Sequence, residues 1–461
     1  MQLIGIDLGT SFLKGAVLDL DPPSIGHIHR EPVPNPVPGL PPLWNEYDAG
    51  EILAATRRLL IELAPFAPDC IGLMVSNQMS SLVLSDGEGR ALSNCIGWRD
   101  QRSLASHPSG AGSYFDRLAE SITPEERIQM GNELRPGLPI SFLAWMAEAG
   151  CLPSGAIPAS LGDFVAASLC NTAPSSDPTN GSAHGTLNIE TVDWHYPVLE
   201  RLGLGSLRWP QLHRSGDVVG TVRIGAREVP CYTPMGDQQV ALASTFLKPR
   251  ELWLNISTGS QVSLLTPTPQ FGAAYRTRPS ADGRFYKTIT HIPGGRSMDQ
   301  IMRLLCELAQ AEGLQLRDPW GYAAHQAELL EQTDLKVNLS FFLSSCGDRG
   351  EISNIGEENL TVGHIFRAAY QNMADNYADC ALRLSPDREW DSLVFSGGLA
   401  QKMGQLRRLI AEKFQTGYRM TASSEDALLG LLALGLLFTG QARTLEEAGR
   451  LIPEEHIQES R

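Results

Sequence analysis

Two stretches built on one plan stand about 250 residues apart, and they constrain the fold more than anything else in the chain. The first, "QLIGIDLGTSFLKGAVLDLD", places apolar runs on both sides of Gly9, Thr10 and Ser11. The second, "ELWLNISTGSQVSLLT", does the same around Ser257, Thr258 and Gly259. Short apolar runs flanking such a turn read as β-hairpins whose turns carry the polar chemistry. Recurrence at half the chain length reads as a coarse internal duplication. The 461 residues agree, because a single core stops growing near roughly 250–300 residues. The expectation is two domains, 1–235 and 236–461, with their seam near residues 228–245.

Between the hairpins, "YDAGEILAATRRLLIEL" opens with Asp48 and has Glu51 three residues on, a pattern that resembles a capping box. Its Ile52, Ala55, Leu59, Leu60 and Leu63 share one helical face. "CIGLMVSNQMSS" reads as a buried strand running out into a polar loop, so the order strand, helix, strand favours α/β layers. Eight prolines between Pro22 and Pro42 predict a linker, too Pro-dense for a helix or an interior strand. In the second half, "SMDQIMRLLCELAQ" and "TVGHIFRAAYQNMADNYADCALRL" read as helices and "SLVFSGGLAQKM" as a strand ending in glycines. The apolar "EDALLGLLALGLLF" reads as a helix in which Gly430 and Gly435 allow close packing.

A formal net charge of -15 argues against nucleic acid or an anionic membrane surface as partner. For an anionic ligand, positive potential must then come locally. The eight cysteines are scattered without a C-x-x-C pair, which suits a reducing compartment rather than a disulfide framework or zinc site. The N-terminus lacks the pattern of a signal peptide, and the longest apolar run, Ala427 to Phe438, is short of the ~20 residues that span a bilayer. A cytoplasmic protein, monomer or homodimer, is expected.

A turn with successive backbone N–H groups and Ser/Thr hydroxyls makes a concave anion site. Two such turns facing across a cleft hold successive phosphates of a nucleotide, with Asp7 at the depth to hold Mg²⁺ directly or through its waters. Phosphoryl transfer also needs a group to take the hydroxyl proton. In "TPMGDQQVALAST", Asp237 is placed either to do that or to act as N-cap of a helix starting at Gln238. "WRDQR" reads alone as a surface ion pair beside a half-buried tryptophan.

Taken in order, "GIDLGTSFLKGAV", "GLMVSNQMSS", "IGWRDQRS", "NELRPGLPISFLAWM", "MGDQQVALAST", "NISTGS", "IPGGRSMDQIMRLL" and "FSGGLAQKM" resemble the motifs of the FGGY carbohydrate kinases over nearly the whole chain. Within that family, "LNISTGSQVSLL" and "CGDRGEIS…LTVGHIFRA" look most like the sedoheptulokinases. The resemblance implies an actin-like ATPase (ribonuclease H-like) fold of two similar domains, with ATP and a sugar in the cleft between them. It implies a ketose acceptor, sedoheptulose first, with xylulose, ribulose or gluconate as alternatives. By matching position, Asp237 is the base and Asp7 the Mg²⁺-linked carboxylate. ATP falls to Gly9, Thr10, Ser11, Lys14, Ser257, Thr258, Gly259, Gly295, Gly397 and Gly398. The sugar falls to Gln78, Met79, Ser80, Trp98, Asp100, Arg102, Asp237 and Gln238. Xylulose-kinase-like members read Q-M-H at Gln78-Met79-Ser80, and glycerol kinases carry Arg and Glu at Met79 and Ser80, which argues against glycerol. Many members have Asn at Lys402, leaving the adenine side open. Two rival classes share the fold: a chaperone-like or filament-forming ATPase, and a sugar sensor without chemistry.

Overall fold

The computed structural model describes residues 1–110, 112–421 and 425–453. Both hairpins form. Strands β1 (Gln2–Leu8) and β2 (Phe12–Leu20) pair antiparallel across the Gly9–Ser11 turn, and β3 (Pro23–Pro32) pairs with β2 as the outer strand of the sheet. This third strand corrects the expected linker. Its prolines sit at the two ends of a sheet-edge strand, where a missing N–H breaks no interior ladder. Helix α1 (Ala49–Leu63) starts where the sequence places it, with the Asp48 carboxylate accepting the Glu51 N–H at 3.0 Å. Strand β4 (Cys70–Asn77) returns parallel to β1. After an excursion that includes α2 (Pro139–Glu148), β5 (Val218–Ile224), β6 (Arg227–Tyr232) and the two-residue β7 (Met235–Gly236) complete the sheet. Its spatial order is β5-β6-β4-β1-β2-β3, with β7 paired to β4.

Helix α3 (Asp237–Ala243) leads to the second hairpin, β8 (Glu251–Asn255) and β9 (Ser260–Thr266). Next come β10 (Arg276–Pro279), β11 (Phe285–Ile292), α4 (Gly295–Ala311), α5 (Val362–Leu384), β12 (Ser392–Ser396), β13 (Tyr418–Met420) and α6 (Asp426–Phe438). In the second sheet the run β11-β9-β8-β12 repeats the run β3-β2-β1-β4 of the first. In both, the first hairpin strand lies parallel to a strand that returns from the far side of a helix. The duplication visible in the sequence is thus a duplication of topology.

Contacts divide the chain into two compact units. One comprises Met1–Phe246, Pro267–Phe285 and Glu425–Arg461, the other Leu247–Thr266 and Tyr286–Ser424. This division is discontinuous, unlike a single cut after residue 235, because α3, β10 and α6 all pack with the first unit. The reason lies in the first sheet, which is apolar on both faces. Ile4, Ile6 and Leu8 of β1 meet Ile52, Ala55, Leu59 and Leu63 of α1. Leu3, Leu18, Leu20 and Met74 turn the other way and share a core with α6 and with Val240 of α3. Successive strand residues alternate faces, so both layers are needed to keep water off one strand. Helix α6 is buried on nearly every side, as an all-apolar helix must be. Among the described residues no helix is long and apolar enough to cross a membrane.

Close contact between α6 and α3 depends on a missing side chain. A Cβ at Gly430 would stand 1.9 Å from the Val240 carbonyl oxygen, whereas one at Gly435 would meet the flexible end of Leu3 at 2.7 Å. Gly430→Ala should therefore cost about 1–3 kcal/mol by overpacking against backbone, and Gly435→Ala less. Urea unfolding of the two variants beside the parent measures both. Equal losses would show that the α6–α3 approach is not the tight one.

Candidate functional site

Parallel pairing in the first unit brings three strand ends to one level. Asp7 of β1 lies beside Ser76 of β4 and Leu8 beside Asn77, while Met235 and Gly236 of β7 lie beside the same two residues from the other side. The Gln78 N–H continues the ladder to the Leu8 carbonyl at 2.9 Å. The segments that continue these strands, namely the Gly9–Ser11 turn, the Gln78–Ser80 loop and Asp237, are thereby gathered at the C-terminal edge of the parallel strands. That edge is where open α/β sheets place their ligands.

Asp7 is buried, and Ser76 Oγ donates to its Oδ1 at 3.1 Å. Burial pushes its carboxyl up to about 6, against the charge of Lys14 and the Ser76 hydrogen bond. Asp237 is the first residue of α3 and Gly236 is its cap, so the expected helix starting at Gln238 with Asp237 as N-cap is corrected by one position. The Asp237 Oδ1 accepts the Gln238 N–H at 2.8 Å, and the Met79 N–H also reaches this carboxylate. Burial, and then the charge of Asp7, push the Asp237 carboxyl up to about 7; the two N–H groups and the charge of Arg278 work the other way. A buried carboxyl beside a second carboxyl, pushed toward neutrality, is chemically able to take up or release a proton here.

Around Asp237 the predicted sugar residues fall into two groups. Gln78, Trp98 and Thr10 form a chain: Trp98 Nε1 donates to Thr10 Oγ1 at 3.4 Å, which donates to Gln78 Oε1 at 3.2 Å. Trp98 keeps 37% of its surface exposed, with the Arg99 guanidinium 5.0 Å from the centre of its ring. Ser80 adopts a left-handed backbone (φ 64°) and its Oγ accepts from Arg135 Nη2 at 3.4 Å. Gln238 Oε1 accepts from Arg278 Nη1. Asp100 and Arg102 stand apart in role. The Asp100 carboxylate accepts Arg102 N and Nε at 2.9 Å each, Arg102 Nη2 at 2.8 Å and Asn45 N at 2.7 Å. Arg102 also donates to Glu46 at 2.5 Å and lies 3.9 Å over the Trp44 ring. "WRDQR" is an ion pair, as its residues suggest, but a buried one: Asp100 is 0% and Arg102 2% exposed.

Lys14 lies across from Asp7 in β2, and its Nζ pairs with Glu425 at 2.8 Å, where Arg30 also binds at 2.5 Å. In the second unit, Ser257, Thr258, Gly259, Gly295, Gly397 and Gly398 come together through backbone bonds. The Gly295 N–H donates to Ser257 O at 3.0 Å, Arg296 N to Thr258 O at 3.1 Å and Leu399 N to Ile256 O at 3.1 Å. Gly397 holds φ 91°, and a Cβ there would meet Ile256 O at 2.5 Å. At Gly259 and Gly398 an added Cβ would meet nothing within 4 Å, so their backbone lies bare.

Four residues at the first unit's site went unmarked by sequence reasoning: Glu133, Arg135, Arg276 and Arg278. Glu133 is buried and pairs with Arg278 Nε at 2.5 Å and Arg276 Nε at 3.7 Å. Burial opposes its charge, yet the Arg278 and Arg276 guanidiniums hold its carboxyl below the usual range. The alternation R-T-R-P in β10 puts both arginines on one strand face, which was the available signal. Among the described residues no group of three or more His, Cys, Asp or Glu is placed to hold a metal ion by itself.

Residues 2–243 match the FGGY family of carbohydrate kinases, N-terminal domain. The chain belongs to this family, and its class is that of an ATP-dependent sugar kinase with an actin-like ATPase fold. It is 22% identical to the sedoheptulokinase of Mus musculus, covering 89% of this chain and 92% of that relative. Among solved structures, the xylulose kinase of Rhodospirillum rubrum superposes with a TM-score of 0.84 at 16% identity, covering 97% of this chain and 92% of that one. Plasmodium falciparum glycerol kinase with ADP gives 0.78 at 17% identity, with coverage of 100% and 93%.

The Asp100–Arg102 pair generates a prediction of its own. Asp100→Ala removes the Nε and Nη2 bonds of the buried Arg102 guanidinium and leaves it Glu46 alone; it should cost about 3 kcal/mol of stability, while any effect on sugar KM follows from that loss. Thermal unfolding with and without sugar checks it. A stable Asp100→Ala protein whose KM alone rises would instead make Asp100 a sugar ligand.

Proposed function

We propose that this kinase transfers the γ-phosphoryl group of ATP to a hydroxyl of a ketose, with sedoheptulose the first candidate and xylulose, ribulose or gluconate the alternatives. One observation carries the reading: Asp237, near-neutral in pKa, stands at the strand-end level of Asp7 with its carboxylate held by the Met79 and Gln238 N–H groups. The name of a relative matched over 92% of its length supports sedoheptulose.

In this reading the acceptor sits against the Trp98 ring, with Gln78, Met79, Ser80 and Gln238 meeting its hydroxyls. Asp100 and Arg102 hold the Trp98 loop from beneath. The acceptor oxygen attacks the γ-phosphorus, the new O–P bond forms as the bond to the β-γ bridging oxygen breaks, and ADP leaves. The hydroxyl proton passes to Asp237 Oδ. Within the first unit Thr10 and Ser11 offer donors to phosphates; within the second the Ser257–Gly259 turn and the bare backbone at Gly398 offer a nucleotide surface. Asp7 fits Mg²⁺ by its chemistry: a hard, buried carboxylate oxygen pushed up to about 6, which a cation returns to its ionised form. When bound, that ion supplies neutralisation of phosphate charge. Lys14 reaches a phosphate in this scheme by leaving Glu425.

Asp237→Asn should lower kcat by about 10²–10⁴ with the protein still folded, measured by sugar-dependent ADP release. The sign of the pH effect follows from the raised pKa. The base form gains above about 7, so kcat/KM should climb through that range and not through the ordinary aspartate range. The climb should vanish in Asp237→Asn. ATP hydrolysis as fast without sugar as with it would return the rival readings.

A further inference from the structure

We propose that Cys346 and Cys380 are a reversible redox site of the second unit, closing to a disulfide that weakens nucleotide binding there. The two sulfurs lie 3.8 Å apart. Closing that contact to the roughly 2.05 Å of a disulfide takes a shift of about 1.8 Å. The residues come from separate elements. Cys380 is buried on α5, and Cys346 sits half-buried in a turn where the Ser344 N–H donates to the Gly347 carbonyl at 2.9 Å. Cys346 also lines a cavity of about 560 Å³, with Lys336, Asn338, Asn372 and Asp375 among its walls, which gives a small reagent room beside the sulfur. Arg383 of α5 places Nη1 4.0 Å from the Cys380 sulfur and donates to the Ser345 carbonyl at 2.8 Å. The hydrogen bond with Cys380 holds the Cys346 thiol below the usual range; burial opposes this, and the Arg383 charge adds to the fall. The same bond, with burial, pushes the Cys380 thiol up. One sulfur is thus the attacking thiolate and the other the resolving thiol.

The oxidant is a low-molecular-weight disulfide. The Cys346 thiolate attacks one of its sulfurs, forming a mixed disulfide and expelling one thiolate. Cys380 then gives its proton to that thiolate and attacks the Cys346 sulfur, and the second half of the reagent leaves as a thiolate. Two electrons pass from the protein pair to the reagent, and excess thiol reverses both steps. In the reducing compartment that the scattered cysteines suit, such a bond is transient and sensing rather than structural. The turn that carries Cys346 is tied to the nucleotide surface by bonds within the second unit. The Ser345 N–H donates to the His291 carbonyl at 3.3 Å, and Ser345 Oγ donates to the Thr290 carbonyl. His291, near the end of β11, holds a left-handed backbone (φ 60°), and beyond it the Gly295 N–H donates to Ser257 O at 3.0 Å. Drawing Cys346 toward α5 therefore pulls on the strand end that sets Gly295 against the Ser257–Gly259 turn.

The test treats the full chain with glutathione disulfide and then blocks the remaining thiols under denaturing conditions. Peptide mapping is expected to find a bond between Cys346 and Cys380 that dithiothreitol removes. Calorimetry with ADP on the reduced and the oxidised protein should show a rise of about tenfold in Kd on oxidation. Cys346→Ser and Cys380→Ser should each abolish both the bond and the change in Kd, whereas Cys151→Ser, at an exposed cysteine, should leave both in place. No bond, a bond mapped to Cys170 and Cys231 instead, or glutathione retained on Cys346 overturns the inference. So does a Cys346–Cys380 bond that leaves Kd within about twofold. ADP bound by neither form overturns the nucleotide reading of the second unit, on which the rise in Kd rests, whatever the map shows.

Discussion

The parallel ladder between β1 and β4 is the interaction on which the rest of the first unit depends. Its register sets Asp7 beside Ser76, and the same two β4 residues then set the level of Gly236 and hence of Asp237. Side chains alternate along a strand, so a slip of one residue would turn Asp7 into the core and bring Ile6 or Leu8 to the site edge. Apolar layers on both faces forbid that slip: Leu3 belongs with α6 and Ile4 with α1, and neither can exchange places without exposing a face. The accuracy with which two carboxylates are placed thus depends on leucines and isoleucines far from any polar chemistry.

Charge is handled by a second device. Two clusters, Asp100–Arg102–Glu46 and Glu133–Arg276–Arg278, lie within the first unit, and each sets guanidiniums against a fully buried carboxylate. They differ in balance. The first has two carboxylates for one guanidinium, with Trp44 stacked on its face, and is a closed structural knot. In the second, Glu133 pairs with both Arg276 and Arg278, and Arg278 reaches on to Gln238 beside Asp237.

Much of this was legible in the sequence because it is local. A Gly-Thr-Ser turn between apolar runs, Asp48 ahead of its helix, and Asp237 after a strand are readable within about ten residues. What was not legible is non-local. Arg102 finds Glu46 across 56 positions, and Lys14 finds Glu425 across 411. No window of sequence shows such pairings. Arg276 and Arg278 were hidden for a further reason: the chain has already entered the second unit when it returns with Pro267–Phe285 to the first. The edge strand Pro23–Pro32 was missed because proline density excludes interior strands, while an edge tolerates it at strand ends.

The return of α6 to the first unit bears on how the chain matures during synthesis. When the ribosome has released residues 1–246, β1, β2 and β4 are complete, yet one whole side of their sheet lacks the helix that covers it. Leu3, Leu18, Leu20 and Met74 must then wait for Leu428–Leu436 while the long intervening stretch emerges and folds as the second unit. Domains that form N-terminal first are normally self-sufficient; this one stays open until α6 arrives. Until α6 arrives, the apolar face made by Leu3, Leu18, Leu20 and Met74 is one the folding chain must keep from pairing with other chains.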